Sequence, residues 1–316
     1  MKTTLIGNTP LVNIKVRYNG KINNIFAKLE YYNYSGSIKD RVAEYVILKS
    51  KALGLLKDGM PIIEATSGNT GISFASLGAR YGHPVHIFMP DWVSQERVKI
   101  LKNYGAKVYL VSKEDGGFKE AISRADSFAN KIGGFRPNQF KNELNTLAHY
   151  NFTGQEIVDK ICNISAFISG FGTGGTLMGV GQKIKENNPN AILVAVEPKN
   201  MTLLSKIKVV GSHKIEGIGD DFLPDLVDTN LIDKVVTISD TDAIMMARKL
   251  AQKLGLGVGI SSGANFLASV LLGMDRVVTI FADDFKKYLS TDLFDENLTK
   301  SNLIDSIELV SIEVIN

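Results

Sequence analysis

The sequence predicts a doubly wound α/β protein with two parallel sheets, each covered by helices on both faces. Three observations carry this. Short apolar, β-branched runs alternate with longer segments of helical period. The runs fall into two groups separated by the polar stretch "RPNQFKNELNTLAHYN", 136–151. At 316 residues and 44% hydrophobic composition, the chain is long enough for two domain-sized cores.

In chain order, the expected strands are "PIIEAT" (61–66), "VHIFMP" (85–90), "KVYLVS" (107–112), "SAFIS" (165–169), "ILVAVEP" (192–198), "VVTIS" (235–239) and "RVVTIFAD" (276–283). Helical periodicity places helices over "SQERVKILKNYG" (94–105), "GFKEAISRADSFANKIG" (117–133) and "DTDAIMMARKLAQKL" (240–254). Ser37 and Asp40 have the S-x-x-D spacing of a capping box, which starts another helix and puts Lys39 in its first turn. A helix N-terminus disfavours an ammonium, so this lysine has its pKa pushed down. The tail from Asp295 to Asn316 carries no motif and is expected to form a strand or a dimer interface.

Composition narrows the function classes. A formal charge of +3 from interspersed Lys and Arg argues against nucleic acid and anionic membrane as partners. The single cysteine, Cys162, excludes an intrachain disulfide and points to a reducing compartment. "MKTTLIGNTPLV" lacks a signal-peptide apolar run and no stretch approaches a membrane span, so a cytoplasmic location is expected. The four histidines form no H-E-x-x-H pattern, and no metal is expected.

In open α/β sheets, ligands bind where strand C-termini meet helix N-termini, and three such junctions stand out. "EATSGNTGISFA" offers hydroxyls and an Asn amide at a helix start, which suits a carboxylate, although a helix cap explains the same residues. In "SGFGTGGTLMGV", Gly170, Gly172 and Gly175 match G-x-G-x-x-G, and Glu197 ends the next strand. A nicotinamide dehydrogenase fits that pattern, and so does a lone phosphate on backbone amides. "GLGVGISSGANFLASV" supplies Ser261 and Ser262 at a third junction.

Together these residues resemble the cysteine synthase and cystathionine β-synthase family of fold type II pyridoxal 5'-phosphate enzymes. The matching stretches, in the family's order, are "IGNTPLV", "SGSIKDR", "EATSGNTGI", "MPDWVSQER", "NQF", "GTGGT", "VAVEP", "KIEGIGDDFLP", "GISSGA" and "KKYLSTDLF". The resemblance implies two three-layer αβα domains. Residues 38–145 would form a smaller, mobile one, and 1–37 plus 146–316 a larger one.

It further implies that Lys39 forms a Schiff base with the cofactor aldehyde and then removes the substrate α-proton. Gly172, Thr173, Gly174, Gly175 and Thr176 would hold the phosphate, Asn69 the ring hydroxyl, and Ser261 would face the pyridine nitrogen. Thr66, Ser67, Asn69, Thr70 and Gln139 would hold the substrate carboxylate. A neutral hydroxyl at the ring nitrogen favours loss of a β-substituent over transamination. The implied reaction is β-replacement or β-elimination on a serine- or cysteine-type amino acid through an α-aminoacrylate, with a thiol or sulfide as partner substrate. Cysteine synthesis from O-acetylserine and sulfide is the leading form, in a homodimer.

Two departures bear on this. Tyr34 replaces the family's usual proline before S-G-S. Asp220 and Asp221 stand where many cysteine synthases are neutral, and "EGIGDDFLP" resembles the acidic stretch of cystathionine β-synthases. Asp221 is therefore the candidate for admitting cysteine as first substrate, with release of hydrogen sulfide and formation of lanthionine, cystathionine or serine. A carboxylate capping a turn is the alternative. His149 and Tyr150 are expected to be structural.

Overall fold

The computed structural model describes residues 5–297 and 300–315. Its strands are β1 (Leu11–Tyr18), β2 (Lys21–Leu29), β3 (Ile62–Ala65), β4 (Val85–Pro90), β5 (Lys107–Val111), β6 (Ala166–Gly170), β7 (Ile192–Pro198), β8 (Lys234–Ile238), β9 (Val277–Phe281) and β10 (Glu308–Ile315). Its helices are α1 (Lys39–Ala52), α2 (Asn69–Tyr81), α3 (Gln95–Asn103), α4 (Gly117–Ile132), α5 (Glu143–Ala148), α6 (Gln155–Val158), α7 (Gly175–Asn187), α8 (Asp240–Leu254), α9 (Ile260–Leu272) and α10 (Asn302–Asp305). A π-turn, His149–Gly154, joins α5 to α6.

The seven runs expected to be strands are β3 to β9. They form two sheets: β3, β4 and β5 are parallel neighbours, and a seven-stranded sheet runs β10-β1-β2-β9-β6-β7-β8. Periodicity predicts only parallel strands, but the larger sheet has an antiparallel edge, because β1 pairs antiparallel with both β2 and β10. The hairpin turns at Asn19 and Gly20, both with positive φ, between the paired Tyr18 and Lys21. That is the two-residue turn whose twist matches the flanking strands. The tail, expected to be a strand or an interface, supplies β10.

Each sheet is sandwiched. On the larger one, α8 and α9 pack on one face through residues such as Ile244, Leu250 and Phe266, and α7 packs on the other through Leu177, Val180 and Ile184. On the smaller one, α1, α2 and α3 cover one face. Helix α4 covers the other with Ala121, Ala125 and Ala129, whose four-residue spacing puts small side chains on one stripe. The C-terminal ends of β3, β6 and β9 open into one cavity, lined by Thr66, Gly170 and Ala282 among others. Among the described residues, no helix is long and apolar enough to cross a membrane.

Candidate active site

Lys39 opens α1 and lines that cavity. The capping box expected around it does not form. Asp40 accepts a hydrogen bond from the backbone amide of Ser35 at 2.6 Å and another from the Ser35 hydroxyl, so its carboxylate is spent upstream of the helix. Ser37 instead pairs through its backbone with Asp283, and Ile38 N donates to Ala282 O at 2.9 Å. Lys39 is thus anchored to the end of β9. Burial lowers its ammonium pKa below the usual lysine range, while the charges of Asp283 and Asp220 oppose the shift. The direction matches expectation, but desolvation is the main cause rather than the helix terminus.

The loop from Gly172 to Thr176 ends β6 and starts α7. Helix α7 is capped by Gly174, which has φ +87° and offers no side chain to its free amides. A Cβ on Gly172 would lie 2.5 Å from Gly217 O, and one on Gly175 would collide with the Asn145 amide. Here glycine is required by close packing; Gly175 N makes a long bond to Thr173 Oγ1 at 3.3 Å, and no side-chain cap covers the helix start, which suits an anion. Asn145 donates to Thr173 Oγ1 at 2.9 Å, and its own buried Oδ1 has no partner. Burial holds His149 neutral, well below its usual pKa, and its Nε2 lies 3.2 Å from Thr176 Oγ1. The sequence placed His149 as structural; it also touches the loop.

Glu197, the residue a dehydrogenase would use on a ribose, is not free for that role. Its buried carboxylate accepts from the amides of Leu203, Leu204 and Ser205 and from the Ser205 hydroxyl at 2.5 to 3.1 Å. The dinucleotide reading of the glycines fails on this point.

Thr66, Ser67, Asn69, Thr70, Gln139 and Ser261 all line the same cavity. Thr70 Oγ1 donates to Gln139 Oε1 at 2.6 Å, and Gln139 Nε2 donates to Ala65 O at 2.8 Å, so these two are locked together before any ligand arrives. Thr66 Oγ1 accepts from Gly68 N at 3.0 Å. Ser261 sits in the first turn of α9 after Gly259.

Of the two neighbouring acids, the structure brings in Asp220 and leaves Asp221 out. Asp221 is exposed and pairs with Lys119 at 3.0 Å, and it is not among the cavity's lining residues. Asp220 lines the cavity; burial, reinforced by the charge of Asp221, pushes its carboxyl up to about 6.

A desolvated amine, the uncapped start of a helix and the Asn69 amide, all lining one cavity, fit pyridoxal phosphate in chemistry. Comparison with known proteins agrees. A family model described as pyridoxal-phosphate dependent enzyme matches residues 2–283. Cysteine synthase B of Campylobacter jejuni is 43% identical over 297 residues, covering 92% of this chain and 97% of the relative. Cysteine synthase of Staphylococcus aureus is 38% identical over 299 residues, covering 92% and 96%. The crystal structure of a hydrogen sulfide-producing enzyme from Fusobacterium nucleatum superposes with a TM-score of 0.93 at 46% identity, covering 98% of this chain and 97% of that one. The chain therefore belongs to the cysteine synthase family of pyridoxal-phosphate-dependent, fold type II enzymes.

Proposed function

We propose that the protein catalyses β-replacement on a serine- or cysteine-type amino acid, with cysteine synthesis from O-acetylserine and sulfide as its leading form. The observation that carries this is the desolvated Lys39 in one cavity with the glycine loop and the Thr66–Thr70 loop. When bound, the cofactor supplies the electron sink. Gly172 to Thr176 hold its phosphate, Asn69 its ring hydroxyl, and Ser261 faces its nitrogen. Thr66, Ser67, Asn69, Thr70 and Gln139 hold the substrate carboxylate, and the Thr70–Gln139 bond fixes two of these donors in advance. Lys39 takes the α-proton, and its lowered pKa leaves more free base near neutrality.

A second reading has cysteine as the first substrate and hydrogen sulfide as the leaving group. The specific observation is Asp220, a cavity acid that a sulfide-binding site gains nothing from but that can handle the proton of water or a thiol. Similarity to the hydrogen sulfide-producing enzyme supports it. This assigns to Asp220 the part the sequence suggested for Asp221. Product analysis with O-acetylserine plus sulfide, then with cysteine alone, separates the two readings. Absence of sulfide from cysteine alone removes the second, and failure of borohydride to fix a cofactor onto Lys39 removes both.

Asp220→Asn is expected to cut sulfide release from cysteine about 10²-fold, the scale of a general acid–base group, and to spare cysteine synthesis. Equal losses in the two assays would sink the role. A raised pKa makes the ionised acid destabilising: the penalty is absent below about pH 4, grows as pH rises towards 6, and is full above it. The variant should therefore melt higher than wild type at pH 7, with the gap closing in acid.

The homodimer, the cytoplasmic location and the motion of residues 38–145 as a unit belong to the same proposal. The separate three-stranded sheet supports the last of these.

A further inference from the structure

A buried carboxylate with no assigned role stands behind Asn69. Asp283 follows β9 and is fully buried. Its backbone is held on two sides: it pairs with Ser37, next to the Lys39 helix, and its carbonyl accepts from Gly259 N at 3.0 Å, next to the Ser261 helix. Its Oδ2 accepts from Asn69 Nδ2 at 2.7 Å and from the Tyr288 hydroxyl at 2.9 Å, and its Oδ1 has no partner. Lys287 Nζ donates to Asn69 Oδ1 at 3.1 Å and to Gly36 O at 2.8 Å.

These partners leave Asn69 no choice of orientation. A carboxylate can only accept and an ammonium can only donate, so the amide nitrogen must face Asp283 and the oxygen must face Lys287. One Nδ2 hydrogen is spent on Asp283, and the other remains on a side chain that lines the cavity. Without the carboxylate, the nitrogen side of the amide loses its acceptor, and Lys287 alone is left to hold the Asn69 side chain in place.

We propose that Asp283 is a positioning residue that fixes Asn69 as a hydrogen-bond donor towards the cofactor's ring oxygen. Gly259 belongs to the same device, because a Cβ there would collide with Asp283 Oδ1 and with the Tyr288 ring and hydroxyl. The inference rests on the cofactor placement proposed above.

The test compares Asp283→Ala, Asn69→Ala and the double variant as holoenzymes, reading the visible absorption band and the dissociation constant for pyridoxal phosphate. Each single variant should weaken cofactor binding about tenfold and shift the band in the same direction, as loss of one hydrogen bond to a charged ligand would. The double variant should bind no more weakly than the worse single one, since Asp283 acts through Asn69. Asp283→Asn keeps the volume and an acceptor, so it should stay within about threefold of wild type.

Losses that multiply to about a hundredfold in the double variant would overturn the proposal. So would an unshifted band in Asp283→Ala, or an Asp283→Asn as impaired as Asp283→Ala. A wild-type protein with no cofactor fixed to Lys39 by borohydride would overturn the cofactor placement and this inference together.

Discussion

Lys39→Ala is expected to lower turnover by about 10⁴-fold or more in either substrate pair, because it removes the attachment point and the base at once. Three readouts separate this from a damaged fold. Borohydride should leave no cofactor on the protein, free pyridoxal phosphate should still bind through the glycine loop, and the melting temperature of the cofactor-free variant should equal or exceed that of cofactor-free wild type. The last expectation follows from burial: the ammonium is disfavoured where it sits, so an alanine there relieves desolvation. Exogenous small amines should restore a measurable part of the turnover, since the cavity keeps its substrate loop. If Lys39→Ala retained more than a hundredth of wild-type turnover, the base would have to be another group, and Asp220 is the titratable neighbour facing the same space.

Which features were legible in the sequence follows from how local their causes are. Lys39 at a helix start, the glycine loop and the seven strands β3 to β9 all rest on spacing within about a dozen residues, and the chain carries them openly. The hairpin of β1 and β2 was equally readable: Asn19-Gly20 between apolar runs is a strong turn signal, and missing it hid the antiparallel edge. Other features depend on contacts that spacing cannot encode. The Ser37–Asp40 box lost to Ser35, two residues upstream, because the chain pairs Ser37 with β9's end instead. The choice between Asp220 and Asp221 depends on which way a loop turns after Gly219. Asn69 and Asp283 lie 214 positions apart, and Asn145 meets Thr173 across 28.

Arg41→Met should destabilise the protein by about 3–5 kcal/mol, the cost of removing one partner from a buried ion pair. Arg41 lies two residues after Lys39 and is itself buried. Its Nε and Nη2 grip Glu30 at 2.6 and 2.8 Å, and its Nη1 and Nη2 grip Glu156 at 2.7 and 2.8 Å. Lys28 pairs with Glu156 at 2.8 Å, while Thr9 Oγ1 and Asn33 Nδ2 donate to the two oxygens of Glu30. The cluster ties the first turn of α1 to the end of β2 and to α6, so it holds the Lys39 backbone against the larger sheet.

Methionine at position 41 leaves Glu30 buried among weaker donors. Because the cost is a stranded charge rather than a lost attraction, Arg41→Met with Glu30→Leu should be more stable than Arg41→Met alone. Burial alone would raise the Glu30 and Glu156 pKa values; Arg41 foremost, with Lys28, reverses this and brings both below the usual range. A depressed carboxylate pKa stabilises above the unfolded value of about 4.3 and ceases to do so as pH falls through the folded value. The urea-midpoint gap between wild type and Arg41→Met should therefore be widest at pH 7 and begin to close above about pH 4, as the stranded Glu30 of the variant, its pKa raised by burial, takes up a proton. It should go on closing below about pH 4 as the wild-type pairs are lost. A gap unchanged down to pH 3 would mean that packing of the arginine stem, and not its charge, holds α1 in place.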